Sequence, residues 1–186
     1  MKKQIRTVPA LFPMPVILIA TYNEDGTVDV MNAAWGCAYD TKQIQLNISE
    51  SHRTTKNIRR TGAFTVTIAD ASHVKEADYV GMVSADRVKD KFARTGLRAH
   101  RSDLVDAPIL DDFAVCMECK DAPFQGEYGV LGDIVRLSVD EEYLDKDGKV
   151  DVSKLRIIAF DPFNNGYYVV GEKVGQAFSD GRKLMK

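Results

Sequence analysis

Apolar and polar positions alternate in short runs along most of this chain, and a period of two predicts strands. Residues 16–22 form an apolar, β-rich run that stops at Asn23-Glu24-Asp25-Gly26, a turn signal, after which Val28 and Val30 flank Asp29. This pattern predicts a hairpin. Residues 43–49 alternate again, and residues 63–68 follow a short helical segment; strands separated by so few residues favour antiparallel pairing. Between residues 71 and 96 the spacing turns helical, first at Val74, Ala77 and Val80 and then at Val88 and Phe92, with Asp86 available as a cap before Arg87. Two short helices are predicted there. Residues 97–110 read as irregular. Alternation returns in residues 113–120 and 130–139, the second run long enough to bend across a barrel, and again in residues 157–160 and 167–170. Residues 171–181 read as a loop and a terminal helix. About eight short strands against three or four short helices predict a mainly β fold, an antiparallel sheet closed on itself so that few edges stay exposed.

Composition narrows the function. The 186 residues suit one domain, 1–186, and the hydrophobic (45%) and charged (28%) fractions are those of an ordinary globular chain. Acidic and basic residues nearly cancel, 27 against 25, so there is no overall basic field to hold nucleic acid or an anionic membrane. No run reaches the ~18 to 20 apolar residues of a membrane span. Arg6 and prolines 9, 13 and 15 interrupt the segment that could imitate a secretory leader, so the N-terminus reads as a mature start and the protein as cytoplasmic.

Cys116-Met117-Glu118-Cys119 is a C-x-x-C, yet FAVCMECK alternates as a strand, in which residues three apart point to opposite faces. A redox pair opens a helix, and a zinc site needs further ligands, which the scattered His52, His73 and His100 do not supply. No metal is expected. Cys37 reads as a small buried hydrophobe sooner than a reactive thiol.

The segment ISESHRTTKNI, residues 48–58, runs from a strand into Ser49, Ser51, Thr54 and Thr55 with His52, Arg53 and Lys56 interleaved. At a helix start these hydroxyls, cations and free N–H groups would suit a phosphate. A capped surface helix with solvated basic residues explains them as well. No G-x-x-x-x-G-K-[ST] loop is present, and Gly126, Gly129 and Gly132 lead into a strand without the G-x-G-x-x-G spacing, so ATP-type and dinucleotide-fold sites lose their support. MNAAWG, residues 31–36, offers the polar Asn32, the small Ala33 and Ala34 and the aromatic Trp35 as a seat for a flat ring; a loop whose Trp35 anchors the core is the plainer alternative.

MNAAWG, SESHRTTKNI and AFTVTIADASHVKEADYVGMVSADRVKDKFARTGL, followed by APILDDFAVCMECK, GDIVRLSVDE and VGQAFSDG, together resemble the flavin reductase-like family of FMN-binding split barrels, in the branch that includes flavoredoxins. Their order and spacing carry the likeness over nearly the whole chain. The resemblance implies a six-stranded Greek-key split barrel, a homodimer, and FMN held without a covalent bond near the subunit interface. It implies that Asn32, Ala33, Ala34 and Trp35 face the isoalloxazine, while Ser49, His52, Arg53, Thr54 and Thr55 hold the phosphate. Lys91, in Asp90-Lys91-Phe92, matches a D-K-F element expected at the phosphate end; a solvated helix lysine is its other reading. Many relatives carry arginine where His52 stands, which leaves Arg53 or Lys56 to meet the phosphate charge. The Gly126-Glu127-Tyr128-Gly129 loop could approach the flavin's open face or be a plain turn.

The activity implied is an NAD(P)H-dependent flavin reductase passing hydride to flavin N5, with no catalytic acid or base assigned. A flavoredoxin-type electron carrier serving a redox partner protein is the alternative, and a cofactor-free ligand-binding barrel is the third.

Overall fold

The computed structural model describes residues 1–120, 122–126 and 128–185, Lys183 by its backbone alone. Its first half contains strands β1 (Met14–Pro15), β2 (Ile17–Tyr22), β3 (Val28–Ala33), β4 (Gly36–Asp40) and β5 (Gln43–Asn47), helix α1 (Arg53–Thr61), β6 (Ala63–Ile68) and helix α2 (Val74–Met82). There follow β7 (Ala99–Arg101), β8 (Pro108–Leu110), β9 (Val115–Lys120), β10 (Phe124–Gln125), β11 (Gly129–Val139), helix α3 (Val152–Leu155), β12 (Ile158–Asp161) and β13 (Gly166–Val169).

The main sheet is antiparallel throughout, in the order β3-β2-β6-β9-β11-β5-β4, with β10 added beside β11. Its two terminal strands, β3 and β4, are joined through Ala34 and Trp35 alone, so the ends of the sheet meet and the sheet curls into a half-barrel. Six strands (β2, β3, β5, β6, β9 and β11) are the expected staves, and β4 and β10 raise the count to eight. Strand β11 bends as its length predicts: a register shift between Ile134 and Arg136 marks where it leaves β5 and continues along β9.

Burial on both faces explains the unbroken apolar run of β2. Ile17 and Ile19 point into the barrel with Ile44, Leu46, Phe64 and Val130, while Val16, Leu18 and Ala20 pack outward beneath α2, against Ala77 and Val80. Gly132 keeps the interior open for Phe64, since a Cβ there would lie 2.5 Å from the ring. The β2–β3 hairpin turns at Gly26 (φ 81), where Asp25 Oδ1 accepts from Thr27 N–H at 3.0 Å. Helix α1 stops at left-handed Gly62, whose N–H returns to Ile58 O.

Several expectations change. Residues 97–110 hold the small β7–β8 ladder, too short for periodicity to reveal. After α2 only turns and a short 3-10 segment, Ala93–Thr95, stand where a second helix was predicted, because Asp86 uses its side chain on Arg53 and Lys56 instead of capping. The tail ends in a 3-10 turn, Asp180–Leu184. Among the described residues no helix is long and apolar enough to cross a membrane.

Candidate functional site

The turn between β5 and α1 is tied by its own hydroxyls. Ser49 Oγ lies 2.9 Å from Ser51 Oγ, and Ser49 O accepts from both His52 N–H and Thr55 Oγ1. His52 takes the N-cap position in an extended conformation with no side-chain cap, and the first turn holds no acidic residue. The first amide N–H groups of α1 therefore carry no side-chain cap, and the positive end of the helix dipole lies at that turn. Arg53 and Lys56 rise from that turn and both contact Asp86, at 2.5 Å and 3.1 Å. Partial desolvation pushes the Asp86 carboxyl up, but hydrogen bonds from Lys56 and Arg53 outweigh it and hold the group below its ordinary value.

Beneath these surface charges lies a buried pair. Asp29, on β3, is 2% exposed; its Oδ2 accepts from Thr54 Oγ1 at 2.5 Å, while its Oδ1 has no hydrogen bond among the described residues. Lys91 Nζ lies 3.9 Å from that oxygen, beyond hydrogen-bond reach, and Lys91 is 4% exposed. Burial pushes the Asp29 carboxyl up and the Lys91 ammonium down, and their attraction opposes both shifts.

A cleft of about 160 Å³ brings these groups together. It lies beside β3, an end strand that among the described residues pairs with β2 alone, so alternate backbone groups on its other side have no ladder partner among them. Asn32, His52, Arg53, Thr54 and Lys91 line it, with Asp29 among them and residues 80–85 opposite. Asn32 Nδ2 donates to Ala77 O at 2.9 Å, and Gly81 lets α2 press close, since a Cβ there would come within 3.1 Å of Asn32 Cβ. Past Arg53 and Ala85 the cleft continues into a polar groove of about 290 Å³ beside Asn23, Asp25 and Lys89.

The other five predicted residues stand apart. Asn32 and Ala33 belong to β3, not to a loop, and Ala33 ends that strand. Ala34 and Trp35 line a different, largely apolar groove of about 280 Å³ with Leu11, Pro13 and Cys37. Trp35 is 52% exposed, so it does not anchor the core. Cys37 is exposed as well, because β4 is an end strand. Ser49 and Thr55 are engaged in the turn described above. Tyr128 O accepts from Ile48 N–H, and Glu127 lies outside the described residues. Cys116 and Cys119 are buried free thiols on β9, pushed by burial to about 12. Asp29 and Asp86 are the functional candidates that sequence reasoning passed over. Asp29 was read only as the polar position between Val28 and Val30, and Asp86 as an available cap.

A curled antiparallel half-barrel with hydroxyls and cations gathered around one cleft defines a mainly β protein with a candidate ligand site. Residues 10–152 match the flavin reductase like domain, and the chain belongs to that family. It is similar to the flavoredoxin of Desulfovibrio vulgaris (Miyazaki F), at 34% identity, a TM-score of 0.92 and coverage of 97% of this chain and all of that one. It is also similar to the flavoredoxin from Methanosarcina acetivorans, at 26% identity and a TM-score of 0.87 over the whole of both chains. An FMN-binding domain of a flavin reductases-like enzyme from Shewanella baltica shares the fold, with 17% identity, a TM-score of 0.75 and coverage of 90% and 91%.

Proposed function

We propose that this protein binds FMN in the β3 cleft and works as an oxidoreductase, in the first reading an NAD(P)H-dependent flavin reductase. The observation that carries this is the convergence of Arg53, His52, Thr54 and Lys91 on a cleft beside the end strand β3. The residues suit the cofactor. Three fixed cations, Arg53, Lys56 and Lys91, stand against two carboxylates, Asp29 and Asp86, and α1 adds its uncapped N–H groups, so a phosphate meets net positive charge. The open backbone of β3 and the turn through Trp35 offer amide groups and an aromatic face to a planar ring.

Bound FMN would supply the electron-accepting chemistry, taking hydride at the ring. The chain's own share is placement. Arg53, His52 and the first turn of α1 hold the phosphate, with Lys91 behind them; Ser49 and Thr55 keep that turn in shape. Asn32 stands at the ring end, with Ala33, Ala34 and Trp35 beyond it. N–H groups along β3 favour the electron-rich reduced ring. The apolar groove beside Trp35 and Leu11 is then the face a second copy covers, giving a homodimer.

The flavoredoxin likeness favours a second reading, a carrier that keeps its FMN and relays electrons to a partner protein. An absorption spectrum of the undialysed protein tests the flavin itself: a colourless protein that takes up no added FMN leaves only a cofactor-free barrel. Steady-state NAD(P)H oxidation with added free flavin separates the other two. Rapid turnover means a reductase, whereas negligible turnover with the yellow colour retained means a carrier.

A further inference from the structure

Among the described residues, every hydrogen bond made by residues 171–185 lies within that segment. The last tie to the body is Val170 N–H to Ile157 O, at 2.9 Å. Beyond it the chain folds on itself as a hook: Lys173 Nζ donates to Gln176 Oε1 at 2.6 Å, Asp180 Oδ2 accepts from Gln176 N–H at 2.7 Å, and Arg182 Nε donates to Phe178 O at 2.9 Å. Gly175 permits this closure, since a Cβ there would lie 2.7 Å from that Asp180 oxygen. The hook has a shape of its own, yet its apolar side chains are bare. Val174 and Phe178 are each 96% exposed, and Leu184 and Met185 are exposed too. Phe178 also holds a left-handed backbone (φ 61), which is costly for a residue with a large side chain.

The groove beside Trp35 has the complementary lack. Its walls include Leu11, Pro13, Ala34 and Trp35, its volume of about 280 Å³ has room for an aromatic ring, and Leu11 stays 81% exposed. Hook and groove belong to one chain, and within one copy they do not meet. Between two copies related by a two-fold axis, each hook serves the other's groove, a reciprocal contact that closes on itself. Resting on the homodimer reading above, we infer that the C-terminal hook of each copy crosses to the other and seats Phe178 in its apolar groove. Burial of the bare ring drives the exchange. Ala34 and Trp35 line that groove and stand at the ring end of the cleft, so each site is completed by the other copy's tail.

The test pairs cross-linking with sedimentation of the full-length protein. One chain carries Cys37→Ser and Ser179→Cys, a coexpressed chain keeps Cys37 and bears a mass tag, and a short bis-maleimide joins accessible thiols that lie close; Cys116 and Cys119 are buried in both. A linked band of one tagged and one untagged chain is expected. Phe178→Ser should weaken self-association about tenfold or more, as when an apolar anchor is lost from an interface pocket. Because the ring is exposed in the lone chain, circular dichroism of that variant should match wild type. A dimer that gives no mixed band overturns the proposal and spares the homodimer. So does a link within one chain when Ser179→Cys is placed alone in protein that keeps Cys37, or a Phe178→Ser dimer as tight as wild type. A wild type that sediments as a monomer at every concentration removes both.

Discussion

Thr54 Oγ1 donates to Asp29 Oδ2 at 2.5 Å, a buried bond that pins the first turn of α1 to the end strand β3. Both partners are buried, and the bond crosses from the helix that carries Arg53 to the strand that carries Asn32, another lining residue of the cleft. Thr54→Val keeps the side-chain shape and removes the donor. It should cost about 1 to 3 kcal/mol, the usual penalty for a buried polar group stripped of its partner. Urea unfolding of the two proteins, compared at constant slope, reads this directly, and equal midpoints would show that the bond contributes nothing.

Lys91 offsets the charge of Asp29, so Lys91→Met should destabilise by about 3 to 5 kcal/mol at neutral pH, as when one partner of a buried pair is lost. The penalty depends on pH with a definite sign. Asp29 has a raised value in the folded chain, so its protonated form is favoured there, and stability credited to that form is present below the ordinary carboxylate range and lost as pH rises through the raised value. Without Lys91 the raised value climbs further. The gap between wild type and Lys91→Met should therefore be narrow near pH 4 and widen towards pH 7 in thermal melts; a gap that stays constant would mean the lysine stabilises by packing alone.

Asp86 competes with any anion for Arg53 and Lys56. Asp86→Asn is expected to tighten FMN several-fold at low ionic strength, with the gain shrinking in salt because these charges are half exposed. Arg53→Ala should weaken FMN about tenfold or more and leave riboflavin nearly untouched. Equilibrium titration with both flavins separates a phosphate contact from a general disturbance, which would affect the two alike.

The three thiols should differ in reactivity. Cys37 is exposed on β4, whereas Cys116 and Cys119 are buried and pushed up to about 12. A thiol-specific chromogenic reagent near pH 8 should consume one equivalent per native chain and three after denaturation. Cys116→Ser with Cys119→Ser should leave flavin content and redox behaviour intact; loss of either would restore the dithiol to the chemistry.

The staves were legible because β2, β6, β9 and β11 carry apolar side chains at the period a buried sheet imposes, and the cation-rich start of α1 was legible because its residue types are unusual together. Strand β4 was not. Its Gly36, Cys37 and Ala38 have no apolar alternation, and Gly36 is required by contact, since a Cβ there would meet Ile17 Cδ1 at 2.7 Å. Asp29 drew no notice for a related reason. Period two says which face a residue takes, and only the arrival of Thr54 and Lys91 from distant parts of the chain makes that face an interior one. Ser49 and Thr55 were correctly placed beside the helix start, but their hydroxyls close the turn, a distinction that spacing cannot draw.

Because Ala34 and Trp35 alone span from β3 to β4, the half-barrel is stitched shut by a single short seam. Circular permutants with new termini at that seam would free both flaps and let the half-barrel splay, whereas new termini in the 145–149 turn would leave it laced. Engineering that fuses or splits this chain therefore has a safe site and an unsafe one, more than a hundred residues apart.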